Sequence, residues 1–329
     1  MKEAFGPADF RRFVLAVLSA FFGIYGGLLA ATNWVVDPYM ETGASAFGLA
    51  PRKFSHSLAS TRTLFDKLRG DRRYALVFGT SRSALVSPAV TGEPTLNFHA
   101  LYGSPYAVND LLRQLDSHQT SNISRIYYLL DVHCFKGRKY FIPLDERAPW
   151  DALLFSLRNF DLDKFEEAGR ALRLNRTKSY DYYLDEDGFE VRSKESTWDP
   201  RTELLDTDDP AFTPDAMEQL AQVDRFARER GIPIVYYTPP LPKAYLQAIG
   251  GPALSSIREA FAERIPSFYD LSYLRWLSKD PSAFSDSSHV KIQPMEKIYK
   301  DILIPGNTDF LTSRENLARR IADLRLHAL

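Results

Sequence analysis

Apolar positions in this chain fall into one long block followed by several short ones. From Phe13 to Val36 it reads FVLAVLSAFFGIYGGLLAATNWVV, without a charged residue. At 1.5 Å rise per residue, a helix of that length crosses a hydrocarbon core of about 30 Å. Because apolar residues surround this helix instead of forming a stripe, a buried core helix is the weaker reading and a membrane anchor the stronger. A cleaved signal peptide is the other alternative, since LLAATNW offers small residues for cleavage. Beyond it, β-prone runs recur at Tyr74–Phe78, Thr95–Phe98, Ile126–Leu130, Ile232–Thr238 and Ser267–Leu271, most of them separated by helical patterns. Such alternation predicts a parallel sheet with helices on both faces, a three-layer flavodoxin-like α/β domain.

Several helices carry their own start and stop signals. SPYAVNDLLRQL places Ser104 at the N-cap and Pro105 at the first helical position, with Val108, Leu111, Leu112 and Leu115 on one side. TPDAMEQLAQVDRFARERG repeats the device with Thr213 and Pro214 and stops at Gly231. An earlier helix is expected over Ala59–Leu68, after a Gly, Ser and Pro-containing connector from Pro38 to Ser57. The final segment, SRENLARRIADLRLHAL, reads as an amphipathic helix beginning near Ser313, with Leu317, Ile321 and Leu324 on the face that docks on the domain.

Between the third and fourth strands, Lys136 to Arg230 breaks the alternation. A helical pattern spans Trp150–Leu174, and SYDYYLDEDGFEVRSKESTWDP reads as a hairpin turning at Asp187 and Gly188. An excursion of this length at the carboxyl edge of a sheet predicts a lid or substrate platform. Its aromatics, Tyr180, Tyr182, Tyr183, Phe189 and Trp198, suit either sugar stacking or a small satellite core. The boundaries are therefore a short N-terminus at 1–12, the anchor at 13–36, a connector and first helix at 37–70, the α/β domain at 71–312 with its insertion at about 136–212, and the terminal helix at 313–329.

Charge and composition narrow the function classes. The chain has 329 residues, 45% of them hydrophobic and 25% charged, and a formal net charge of −1. That suits one sizeable α/β domain or two modest ones. No long Lys and Arg run or basic stripe interleaved with aromatics points to nucleic acid. One cysteine, Cys134, excludes an intrachain disulfide and a Cys-based zinc cluster. Lys2, Arg11 and Arg12 precede the anchor and Asp37 follows it, so the positive-inside rule leaves the N-terminus in the cytoplasm and everything after the anchor outside. Trp34 and Tyr39 fall where an interfacial aromatic belt lies.

Candidate chemistry collects after the strands, where open parallel sheets bind ligands. Thr80, Ser81 and Arg82 follow the first strand, Asn97, His99 and Gly103 the second, and Asp131 and His133 the third. Asp286 and His289 lie beyond the fifth. Ser81 is either the cap of a turn or a nucleophile. A nucleophilic serine needs a base to take its proton and a third group to orient that base. Asp286 and His289, three apart, allow a carboxylate to hold Nδ1 while Nε2 faces Ser81. The Ser81 amide, with Gly103 as a second donor, would make an oxyanion hole. Arg82 is a salt-bridge partner for a carboxylate or a contact for an anionic substrate. A metal gathered by Asp131, His99, His133, Asp286 and His289 is the competing reading, and no His-x-x-x-His or comparable spacing supports it.

The segments GTSR, NFHALYG and DSSH resemble blocks I, II and V of the SGNH (GDSL-like) hydrolase superfamily. They are most similar to its membrane-anchored, exported branch, which includes proteins of cell-surface polysaccharide O-acetylation and teichoic-acid D-alanylation. This resemblance implies Ser81 as nucleophile, His289 and Asp286 as its partners, and an oxyanion hole of the Ser81 amide, Gly103 and, as a helper, Asn97. It implies an extracytoplasmic esterase or O-acyltransferase, acting without a cofactor on acetyl groups of a glycan and working beside a membrane-bound O-acyltransferase. YYLLDVHCF departs from the pattern, with Asp131 where the family's block III has Asn. An ionised carboxylate facing an oxyanion would repel it, so Asp131 is protonated, points elsewhere or marks altered catalysis. Altered catalysis leads to another class of function, a non-catalytic binding or assembly component of an acylation or export complex.

Overall fold

The computed structural model describes residues 7–36, 64–99, 103–135, 162–177, 182–185, 187–192, 196, 198–199, 212–272, 274–304 and 306–327. The Pro38–Ser57 connector, Tyr39, the start of the helix expected from Ala59, residues 150–161 of the expected insertion helix and Tyr180 lie outside them. So do the side chains of Trp34, His133, Tyr182 and Tyr183. The chain forms two compact units, residues 1–53 with 146–180 and residues 54–145 with 181–329.

In the first unit, helix α1 spans Pro7–Val36. Its stretch Phe10–Asn33 is long and apolar enough to be a membrane span or a signal sequence. Phe13, Leu15, Phe21, Phe22, Ile24 and Leu28 are all exposed, an arrangement that water penalises and lipid does not. Leu29 and Asn33, near the end of α1, are buried. The insertion's helix, Leu162–Thr177, packs on α1 and buries Ala168.

The second unit is built on strands β1 (Tyr74–Phe78), β2 (Thr95–Asn97), β3 (Ile123–Leu129), β6 (Ile234–Tyr237), β7 (Ser267–Tyr269) and β8 (Leu311–Ser313), in the spatial order β2-β1-β3-β6-β7-β8. All neighbours are parallel except β7 and β8. Strands β4 (Tyr182–Leu184) and β5 (Glu190–Arg192) form a separate antiparallel hairpin, turning through Asp187 and Gly188. Successive side chains enter opposite layers. Leu76, Phe78, Ile126 and Tyr128 join one core with helices Pro105–Arg113, Pro214–Glu229 and Gly251–Arg264, while Ala75, Val77, Tyr127 and Leu129 join another with Met295, Ile298 and Tyr299. Burial on both faces is why β1 reads as an unbroken apolar run. Ser104 and Thr213 accept from Ala107 N and Ala216 N, each at 3.3 Å, and cap their helices as the sequence suggests.

The C-terminal segment departs from expectation. Ser313 pairs with Ser267 at the end of β8, and the last helix begins at Leu317. Asn316, not Ser313, organises the turn, accepting from Ser313 N at 2.9 Å and donating to Leu311 O at 2.9 Å. An outer edge of β7 left bare would expose unpaired main-chain groups, and three residues of antiparallel strand cover it. The sheet is consequently mixed, though mostly parallel.

Phe78 has no exposed surface and sits 5.6 Å from the Phe98 ring and 6.2 Å from Tyr128. Phe78→Ala is expected to cost about 3–5 kcal/mol through the cavity it leaves, measured by chemical denaturation of the full-length protein in detergent. Trp276→Ala, at a position 43% exposed, should stay within about 0.5 kcal/mol of wild type.

Candidate active site

Strand β1 ends at Phe78, and after Gly79 the chain enters a 3₁₀ turn, Ser81–Ser83. Thr80 is the cap, its hydroxyl accepting from Arg82 N at 3.3 Å. Ser83 secures the same turn, its hydroxyl donating to Thr80 O at 2.9 Å. Both flanking hydroxyls are thus used by the turn itself. Ser81 is left exposed, and its Oγ lies 2.8 Å from His289 Nε2. In the order β2-β1-β3 the chain reverses its direction of travel across the sheet between β1 and β3, the switch point at which such sheets open a crevice.

His289 is presented by a compact loop. Asp286 Oδ1 accepts from Ser288 N and His289 N, each at 2.9 Å, and both carboxylate oxygens lie 2.8 Å from His289 Nδ1. A bridge between Phe284 and Val290 closes the loop at its base. An ionised carboxylate only accepts, so the proton of neutral His289 sits on Nδ1 and the Nε2 lone pair faces the Ser81 hydroxyl. Partial burial alone would raise the Asp286 pKa. The hydrogen bond and charge of His289, with the two backbone donors, overcome it and bring the pKa down to about 2.

Asp131 does not face this pair as an empty acceptor. Its side chain is fully buried, with Oδ2 accepting from Thr80 Oγ1 at 2.7 Å and Oδ1 from Arg82 Nη1 at 2.8 Å. Arg82 also donates to Tyr245 OH at 3.1 Å and lies over that ring, 5.3 Å from its centroid. Burial works against the guanidinium charge, but Asp131 and Tyr245 more than offset it and hold the Arg82 pKa above its ordinary value. Of the two roles open to Arg82 from sequence, the structure therefore shows the salt bridge.

Gly103 lies against the start of the Ser81 turn. A Cβ there would come within 2.8 Å of Gly79 O and 2.6 Å of Cys134 Sγ, so only glycine permits the approach. Asn97 corrects the expectation placed on it. Its Nδ2 donates to the carbonyls of Ser83 at 2.8 Å and Val86 at 3.0 Å, so the amide hydrogens serve the loop after Ser81 instead of an oxyanion. Its Oδ1 faces His99, accepting from His99 N at 3.0 Å and lying 3.1 Å from Nδ1. His99 is buried beside Asn97 and belongs to that scaffold. Among the described residues, no group of three or more His, Cys, Asp or Glu side chains could hold a metal ion.

The sequence reading placed Thr80 after the first strand but missed its contact with Asp131, and it missed Tyr245 altogether, as it did Glu190, Arg192 and Ser285. A usable signal existed for the first of these: parallel pairing of Phe78 with Tyr128 brings the residues after β1 beside those after β3, where opposite charges stand at Arg82 and Asp131.

Arg82 and Asp131 side chains are 8% and 0% exposed. Asp131→Asn strands a buried cation and is expected to destabilise the protein by about 3–5 kcal/mol, whereas the double variant Arg82→Met with Asp131→Leu should regain most of that loss. Thermal unfolding of wild type, single and double variants checks both.

No protein-family model matches this chain, and no curated protein matches it.

Proposed function

We propose that the chain is an extracytoplasmic serine esterase or O-acyltransferase of the SGNH type, with a flavodoxin-like three-layer catalytic domain. The observation that carries this reading is the paired contact of one imidazole, 2.8 Å from Asp286 on one side and 2.8 Å from Ser81 Oγ on the other. Ser81 Oγ attacks the acyl carbonyl as its proton passes to His289 Nε2. Asp286 stabilises the imidazolium, and the amides of Ser81 and Gly103 are assigned to the developing oxyanion. His289 then returns the proton to the leaving alcohol, and an acyl group remains on Ser81. Water attacking that ester gives hydrolysis, and a bound hydroxyl gives transfer.

The resemblance to exported, anchored hydrolases and the apolar α1 support a place outside the cytoplasmic membrane, with the N-terminus inside. They favour acetyl groups on a cell-surface polysaccharide as substrate and a membrane-bound O-acyltransferase as partner. A non-catalytic assembly role drew its support from a carboxylate expected to spoil the oxyanion hole. Asp131 is bonded to Arg82 and Thr80, so that support falls away.

The test is release of p-nitrophenol from p-nitrophenyl acetate by full-length protein in detergent. Wild type is expected to turn over, with Ser81→Ala and His289→Ala each reduced at least about 10³-fold. Wild type indistinguishable from buffer, or activity retained in Ser81→Ala, counts against the assignment. Asp286 stays ionised until the pH approaches about 2, so the pH profile should show no loss of activity from protonation of that carboxylate above that value. By the same sign, the stability that Asp286 contributes is present above the ordinary carboxylate range and is lost as pH falls towards that value.

A further inference from the structure

Described residues between Asp185 and Trp198 bond to both turns that meet at Ser81 and His289. Asn97 N donates to Asp187 O at 2.8 Å, and Lys67 Nζ pairs with Asp187 at 2.6 Å. Gly188 adopts φ +84°, and a side chain there would run into the Asn97 carbonyl. Glu190 N donates to Ala84 O at 2.7 Å, at the back of the turn that carries Ser81. Two residues later, Arg192 Nη1 donates to Ser285 Oγ at 3.0 Å, next to Asp286, and Arg192 Nε is ion-paired with Glu190. Ser196 Oγ and Trp198 N then donate to Ser285 O at 2.8 Å and Phe284 O at 3.2 Å.

Ser285 passes the contact on, its Oγ donating to His289 O at 3.2 Å and its N to the same carbonyl at 2.8 Å. The hydroxyl accepts from Arg192 and donates to His289, so each capacity has one use. Ser81 and His289 are 208 positions apart and stand on turns from different strands. A proton-transfer pair tolerates little drift, and a displacement of about 1 Å can cost 10²-fold in rate.

We propose that Arg192 is a positioning residue for the Ser81–His289 pair. Through Ser285 and Glu190 it holds the His289 turn against the Ser81 turn, so this arm of the insertion braces the site. This rests on the serine-nucleophile reading given above.

The experiment compares full-length wild type, Arg192→Ala, Arg192→Lys and Ser285→Ala in detergent. Fluorophosphonate modification of Ser81 is followed against probe concentration and pH, and amide hydrogen exchange is followed over residues 284–290. Arg192→Ala is expected to slow modification at saturating probe by about 10- to 10²-fold, with half-saturating concentration and pH midpoint unchanged and exchange over 284–290 raised. Arg192→Lys should recover part of the rate. If Arg192→Ala does not fold, Ser285→Ala removes the same contact from the other side and should give the same pattern. Wild-type rate with wild-type exchange in Arg192→Ala and Ser285→Ala overturns the brace. A change confined to half-saturating concentration also overturns it and makes Arg192 a ligand contact. If wild type is not modified at Ser81, the nucleophile reading fails, and the exchange measurement alone decides whether Arg192 holds the His289 turn.

Discussion

The carboxylate of Asp131 organises the carboxyl end of this sheet. It accepts from the residues on either side of Ser81, from the Thr80 hydroxyl and from the Arg82 guanidinium. Burying a carboxylate is costly unless the charge is paired and its lone pairs are engaged. Meeting that requirement draws positions 80 and 82 inward. Ser81 between them is directed outward by the short 3₁₀ turn, whose own hydrogen bonds are closed by Thr80 and Ser83. An acidic residue that threatens an oxyanion hole on paper thus becomes the anchor of the Ser81 turn, because an arginine one residue beyond the serine takes its charge.

The second half of the site has a different kind of support. Asp286 and His289 orient each other within one loop, so their relation is local and does not depend on the rest of the fold. Their relation to Ser81 is not local. It depends on the sheet, which places the first strand beside the third, and on the hairpin arm that touches both turns. Much of the stretch read as a lid or platform, including residues 136–161 and 200–211, lies outside the described residues. Of the insertion's aromatics, Trp198 is buried and packs edge-on against Phe284, 6.4 Å between centroids, which makes it a small piece of core beneath the His289 loop.

Much of this was legible in residue order. Tyr74–Phe78 announces a buried strand by its composition, Ser104-Pro105 and Thr213-Pro214 announce helix starts, and the three-residue spacing of Asp286 and His289 announces a carboxylate-oriented imidazole. These features depend on contacts within a few residues, where backbone geometry leaves few alternatives. The uncharged, mostly apolar run from Phe13 to Val36 is legible for the same reason, since its length and lack of charge act one residue at a time.

Tertiary structure decided the rest. Whether Ser313 caps a helix or ends a strand depended on an unpaired edge of β7, about 45 residues earlier in the chain. The Asn97 amide could have faced an oxyanion by sequence position alone, but the loop after Ser81 turns the carbonyls of Ser83 and Val86 towards it, and the amide donates to both. The partner of Arg82, the neighbours of Asp131 and the grip of Arg192 on Ser285 were equally outside the reach of local pattern. Each is a pairing of polar groups removed from water together, and which groups are removed together is settled only when distant segments close on one another.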